Sequence, residues 1–252
     1  MSDRSAIEWT EATWNPTTGC DRVSRGCDNC YALTLAKRLK AMGSPKYQQD
    51  GDPRTSGPGF GLSVHPEALS VPYGWKSPRT VFVNSMSDLF HARVPLDYVR
   101  RVFEVIADTP QHTYQVLTKR ARRLRQVAGR LEWPANLWMG VSVESAKELP
   151  RVDDLRQVPA AVKFLSCEPL LGPLSGLGLE GIDWVIVGGE SGAGARPMHL
   201  PWAEAVVDEA RRSGTAVFVK QLGSCWGKGH KDIVQFPTEL QVRDYPGAVT
   251  RV

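Results

Sequence analysis

Cysteine is scarce in this chain, five in 252 residues, and three of the five fall between positions 20 and 30. So few thiols, odd in number and clustered, exclude the disulfide framework of a small secreted domain and point to metal or redox chemistry. Long apolar runs are absent too. No stretch approaches the roughly 18–20 residues that a membrane span needs, so no membrane partner is expected. Met1-Ser2-Asp3-Arg4 leads directly into polar sequence without the apolar core of a signal peptide, and a cytoplasmic location is the default expectation. There is no dinucleotide fingerprint, because Gly188-Gly189-Glu190-Ser191-Gly192 lacks the G-x-G-x-x-G spacing. No repeat or low-complexity tract interrupts the chain. The net charge of +4 permits an anionic partner without demanding one. The remainder is ordinary: 42% hydrophobic and 23% charged residues, in a length that can bury a full core.

Short, nearly continuous apolar runs occur at Thr80 to Asn84, Thr113 to Thr118, Leu137 to Val143, Val162 to Ser166, Asp183 to Gly188 and Ala216 to Lys220. Such runs suit strands covered on both faces. Between them lie helical stripes. Val99, Val102, Phe103 and Ile106 share one face of Leu96 to Ala107, and Ala205, Val206 and Ala210 share one face of Trp202 to Arg211. A further helix follows Cys30, with Tyr31, Leu35, Leu39 and Met42 at helical spacing and Gly43 as its cap. Alternation at this spacing, with one more strand before the cysteines, predicts an α/β fold. The expected form is a partial or complete parallel (β/α) barrel in a single domain over residues 1–252, with an open doubly wound sheet as the alternative. Residues 44–77 hold five prolines and five glycines and are too long for a bare connector. They read as an insertion, either a lid over the rim or a disordered excursion.

In a parallel barrel, chemistry collects at the C-terminal ends of strands. Here those ends carry Asn84-Ser85-Met86-Ser87-Asp88, Thr118-Lys119-Arg120, Ser142 and Glu144, Ser166-Cys167-Glu168, Glu190-Ser191, and Lys220-Gln221. Carboxylates at Glu144, Glu168 and Glu190 beside Lys119 and Lys220 would suit a zwitterionic or polar ligand. The paired glycines 188 and 189 would let backbone approach a ligand. From Lys119 to Arg130 six residues of twelve are basic, which reads either as a phosphate grip or as a solvated helix face.

The cysteines form C-x6-C-x2-C: Cys20, Cys27 and Cys30. Three thiolates in a loop can hold a metal centre, but a closed structural site wants a fourth ligand. An iron–sulfur cluster held by three would keep one iron open. Zinc would draw its fourth ligand from His65, His91, Cys167, Cys225 or His230. Unliganded loop thiols are the third reading.

Trp14-Asn15-Pro16-Thr17-Thr18-Gly19-Cys20, followed by Gly26-Cys27-Asp28-Asn29-Cys30-Tyr31-Ala32, resembles the radical S-adenosylmethionine (radical-SAM) enzymes of the spore photoproduct lyase-like branch. The pattern is closer still to a phage- and prophage-associated three-cysteine family of unknown function. That likeness rests also on Asn84 to Phe90, Gln115 to Arg120, Gly140 to Glu144, Ser166 to Gly172, Gly188 to Gly192 and Val219 to Gly223. The usual radical-SAM spacing is C-x3-C-x2-C with an aromatic before the last cysteine. Here the first gap is six residues and Asn29 takes the aromatic place.

The resemblance implies a [4Fe-4S] cluster ligated by Cys20, Cys27 and Cys30, with S-adenosylmethionine chelating the open iron. Reductive cleavage to a 5′-deoxyadenosyl radical would follow. Ser85, Ser87 and Asp88 would meet the methionine or ribose, and Lys119 the methionine carboxylate. Glu144, Glu168 and Glu190 would serve ribose hydroxyls, the amino group or the substrate. Implied partners are an electron donor such as flavodoxin or ferredoxin, and a DNA or nucleotide substrate for repair or modification. The other classes that remain are a zinc-stapled nucleic-acid-binding protein without catalysis and an interaction partner in phage or host defence.

Overall fold

A computed structural model describes Ser5 and residues 7–247; the reading of Met1 to Arg4 as lacking a leader lies outside the described residues. The chain divides into two compact units, residues 1–139 with 158–161, and residues 140–157 with 162–252. The fold class is α/β. Seven strands lie in the sheet order β1-β4-β5-β6-β7-β8-β9. They are β1 (Ala12–Trp14), β4 (Thr80–Val83), β5 (Thr113–Thr118), β6 (Leu137–Ser142), β7 (Val162–Cys167), β8 (Trp184–Gly188) and β9 (Ala216–Gln221). The order never reverses, as it must in a doubly wound sheet. It ends at β1 and β9, which is the topology of a partial, not a closed, (β/α) barrel.

In the first unit β1, β4 and β5 pair in parallel, with Trp14 opposite Val83 and Val83 opposite Val116. Their apolar side chains are buried together with Tyr114, Leu89 and Phe90. Helix α2 (Leu96–Asp108) covers them, burying Val99, Val102, Phe103 and Ile106 as its periodicity predicts. β4 stops at Val83 because Asn84 takes a positive φ of 62°. In the second unit β7, β8 and β9 pair in parallel, with Phe164 opposite Trp184 and Val185 opposite Val217. Helix α5 (Leu200–Ser213) buries Ala203, Val206, Val207 and Ala210. Ala205, expected on that face, is exposed. The shorter helices are α3 (Ala121–Ala128) and α4 (Pro150–Arg156).

Helix α1 (Tyr31–Ala41) follows Cys30 as expected and closes at Gly43, where the Ser44 amide donates to the Leu39 carbonyl at 3.0 Å. Its buried face is not the expected one. Ala32 and Ala36 are inside with Leu33 and Leu39 against them, while Tyr31, Leu35 and Met42 are exposed. The cause is the insertion. Tyr47 and Phe60 from that segment fill the space over the helix, and only alanine lets rings of that size come so near. The insertion is therefore packed and ordered in place. Its short strand β3 (Ser63–Val64) pairs antiparallel with β2 (Thr17–Thr18), and Ala68 and Leu69 are buried.

Candidate functional site

The cysteine loop leaves the C-terminal end of β1 through β2, and three neighbours fix its path. Gly19 bridges to Ser87 beyond β4, with its amide donating to the Met86 carbonyl at 2.9 Å and its carbonyl accepting from Ser87 Oγ at 2.6 Å. Gly19 holds φ at 83°, and a Cβ there would sit 2.1 Å from the Gly61 carbonyl oxygen, so only glycine fits. The insertion braces the next residues. Arg22 N donates to the Thr55 carbonyl at 3.0 Å, and Asp21 Oδ1 accepts from Thr55 Oγ1 at 2.8 Å and from Ser56 Oγ at 3.2 Å. A short turn then carries Cys27 to Cys30, which caps α1, with Cys30 N donating to the Cys27 carbonyl at 3.3 Å. Cys20 and Cys30 both pack on the cluster of Ala32, Ala36, Tyr47, Phe60 and Met86.

All three thiols are free. Burial pushes the Cys20 thiol up to about 12, with Asp88 and Cys27 adding to the rise and Arg120 opposing it. Burial also raises Cys30, with Cys27 contributing, while Lys119 pulls the other way. Cys27 thus stands within electrostatic reach of both others. Among the described residues no three His, Cys, Asp or Glu side chains are gathered as a ready metal site.

Arg120 ties this loop to the strand ends. Its Nη1 donates to Cys20 Sγ at 3.3 Å and to Asp88 Oδ2 at 2.9 Å, and its Nη2 donates to the Asp21 carbonyl at 2.9 Å. The pair is enclosed, with side-chain exposures of 12% for Arg120 and 7% for Asp88. Burial works against the arginine's charge, but Asp88 and Cys20 outweigh it and raise its pKa. Asp88 also accepts from Thr118 Oγ1 at 2.7 Å, Lys119 N at 3.1 Å and Phe90 N at 2.9 Å. Beside it His91 Nε2 lies 2.9 Å from Asp21 Oδ2, which also accepts from Arg93 Nη2 at 3.0 Å.

Of the residues singled out from sequence, Cys20, Cys27, Cys30, Ser85, Ser87, Asp88 and Lys119 all belong to the first unit. Ser85 Oγ is within 3.2 Å of the Asn15 side chain. Glu144, Glu168 and Glu190 belong to the second unit, each paired with a base there. Glu144 Oε2 meets Arg151 Nη1 at 2.9 Å, Glu168 Oε1 meets Lys220 Nζ at 2.6 Å, and Glu190 is clasped by the Arg196 guanidinium. A Cβ at Gly189 would stand 2.5 Å from the Leu222 carbonyl oxygen, so the chain's own backbone supplies a close approach at that glycine. The basic run splits: Arg120 and Arg123 turn inward, Arg123 Nη2 donating to the Val94 carbonyl at 2.7 Å, while Arg122 and Arg130 stay exposed. Sequence reading passes over Asp21 as a site residue, takes His91 only as a candidate zinc ligand and Arg120 only as part of a polar strand end. The one local signal was the position of Arg120 two residues past a strand end.

With this geometry in view, comparison with known proteins places the chain. Residues 4–249 match a family described as a protein of unknown function (DUF5131). The chain belongs to that family. No curated protein matches it. Among solved structures it is similar to spore photoproduct lyase complexed with a dinucleoside spore photoproduct, at 14% identity and a TM-score of 0.48. The match covers 84% of this chain and 64% of the lyase, so this family member spans less than two thirds of that protein's length.

Proposed function

We propose that this protein is a radical-SAM-like iron–sulfur enzyme. Three free thiols lie on one loop directly beyond β1, beside the ends of β4 and β5, and this observation carries the reading. Its donor set suits a thiolate-held cluster, since the three thiols share one loop and are half-buried, and Arg120 and Lys119 bring positive charge to offset thiolates. Cys20, Cys27 and Cys30 would hold the iron. Bound there, such a cluster supplies one electron to S-adenosylmethionine and the means to abstract hydrogen from a substrate.

The chain's own residues do the rest. Arg120 donates to Cys20 Sγ and orients that thiol. Asp21, braced by Thr55 and His91, holds the loop in register with the strand ends. Lys119, at the end of β5, would take the methionine carboxylate of S-adenosylmethionine, and Ser85 and Ser87 line the same stretch beyond β4. Asp88 is committed to Arg120 and acts by positioning it. Glu144, Glu168 and Glu190, each matched by a base, offer hydrogen-bonding edges more than free charge. The exposed Arg122 and Arg130 favour an anionic substrate such as DNA or a nucleotide. The zinc alternative is less favoured, because His65 and His91 are engaged with Thr18 and Asp21.

Anaerobic reconstitution tests the reading. About four irons per chain, a sulfur-to-iron absorbance band and S-adenosylmethionine cleavage on reduction are expected. Cys27→Ser should abolish iron loading. Stoichiometric zinc with no iron would sink the proposal.

A further inference from the structure

Arg120 stands two residues past the end of β5 and reaches back to the thiol loop of its own unit. Its guanidinium spans two residues of that loop. Nη1 donates to Cys20 Sγ at 3.3 Å, and Nη2 donates at 2.9 Å to the carbonyl of Asp21, the first of the six residues that separate Cys20 from Cys27. The Cys20 thiol turns its own proton toward that same carbonyl, 3.5 Å away, which leaves the sulfur lone pairs to the arginine. Nη1 also meets Asp88 Oδ2 at 2.9 Å, and Asp88 is pinned in turn by donors from Phe90 N, Thr118 Oγ1 and Lys119 N. Both side chains are enclosed, where charge is screened less than in water. Hydrogen bonds to ligand sulfurs, local charge and solvent exposure together set the potential of an iron–sulfur centre. Arg120 brings the first two of these to Cys20.

We propose that Arg120, locked in place by Asp88, raises the reduction potential of the centre held through Cys20. This role rests on the function proposed above and adds what sets the electron affinity of its cluster. Two effects act in one direction. The N–H at Cys20 Sγ draws electron density from the sulfur and weakens its donation to iron. The guanidinium charge favours the reduced form, which is one electron more negative. Asp88 acts in the opposite direction through its own charge, and its contribution is to fix the plane of the guanidinium. Arg120 works through Cys20, so it is a positioning residue and not a catalytic one. A plain brace would behave otherwise: its loss would open the loop to water, which favours the more charged reduced form and so raises the potential.

The test is a mediated redox titration of the anaerobically reconstituted protein, read by electron paramagnetic resonance, with iron content and thermal melts measured alongside. Arg120→Gln should shift the one-electron equilibrium toward the oxidised centre by about tenfold or more, a fall of about 59 mV. Arg120→Lys keeps the charge and loses the fork, so its potential should lie between those of the wild type and the glutamine variant; it also carries the test where Arg120→Gln does not fold. Asp88→Asn should move the potential upward, because Arg120 keeps Cys20 Sγ and the Asp21 carbonyl and is relieved of its carboxylate. Opposite signs at the two positions are the signature of charge. A change below about twofold on losing the Arg120 fork, or shifts of one sign in the Arg120 and Asp88 variants, would overturn the proposal. Cobalt(II) loading of the metal-free protein separates this role from the cluster itself. Loss of the donor at Cys20 should move the sulfur-to-cobalt charge-transfer band to lower energy. A chain that takes cobalt but no iron loses the proposed function, and the band still decides the role of Arg120: a shift supports it and an unmoved band overturns it. A chain that takes up neither metal overturns both.

Discussion

Arg120→Gln should be among the most damaging polar substitutions in the first unit. The wild-type guanidinium meets Cys20 Sγ, the Asp21 carbonyl and Asp88 Oδ2 from a side chain only 12% exposed. Its removal leaves the Asp88 carboxylate enclosed without its hydrogen-bonded counter-charge, with Arg123 still in electrostatic reach. Removing one partner of a buried pair costs about 3–5 kcal/mol. The low end applies, because Asp88 keeps donors from Phe90, Thr118 and Lys119. A loss of about 3 kcal/mol raises the unfolded-to-folded ratio about 150-fold. Asp88→Asn should cost a comparable amount, since its amide would face the guanidinium. The double variant should be less destabilised than the sum of the singles by about 1–2 kcal/mol. Urea unfolding followed by circular dichroism measures all three, with an unchanged dependence on denaturant marking a pure stability effect. Single losses under about 1 kcal/mol, the scale of an exposed pair, together with strict additivity would refute the reasoning.

Two further outcomes follow from the same geometry. Gly19→Ala should destabilise by about 2 kcal/mol or more, because it combines a φ of 83° with a clash at 2.1 Å on the Gly61 carbonyl; an unshifted urea midpoint would contradict this. Stability should also fall as pH drops below about 6.5, the ordinary histidine value. Burial first, and neighbouring cations after it, lower the pKa of His65, His91 and His112 in the fold. The unfolded chain then binds more protons, so the stabilisation is complete above the unfolded value and is lost as pH falls through the lowered folded ones. Unfolding midpoints between about pH 7.5 and 5.5 read this directly, His65→Gln should flatten part of the slope, and a level profile would count against it.

The strands were legible because burial on both faces demands continuous apolar residues, and that demand is local: Val81, Val116 and Val185 announce themselves. The stripe of α2 was legible for the same reason, with one face of a helix against one sheet. Helix α1 was not, because Phe60 and Tyr47, brought back from the insertion, choose which of its two apolar faces is covered. The cysteines and the polar strand ends could be picked out by residue type and spacing alone. What each strand-end charge meets could not. Asp88 finds Arg120 across 32 positions, and Glu168 finds Lys220 across 52. A carboxylate at a strand end looks the same in sequence whether it faces a ligand or an arginine. The amino-acid order by itself determined the α/β class, the parallel strands and the three-thiol loop, since each follows from near-neighbour chemistry. Only the tertiary structure decided that Arg120 clamps that loop, that the insertion is its brace, and that Tyr31, Leu35 and Met42 face outward, because these depend on contacts between residues the chain separates.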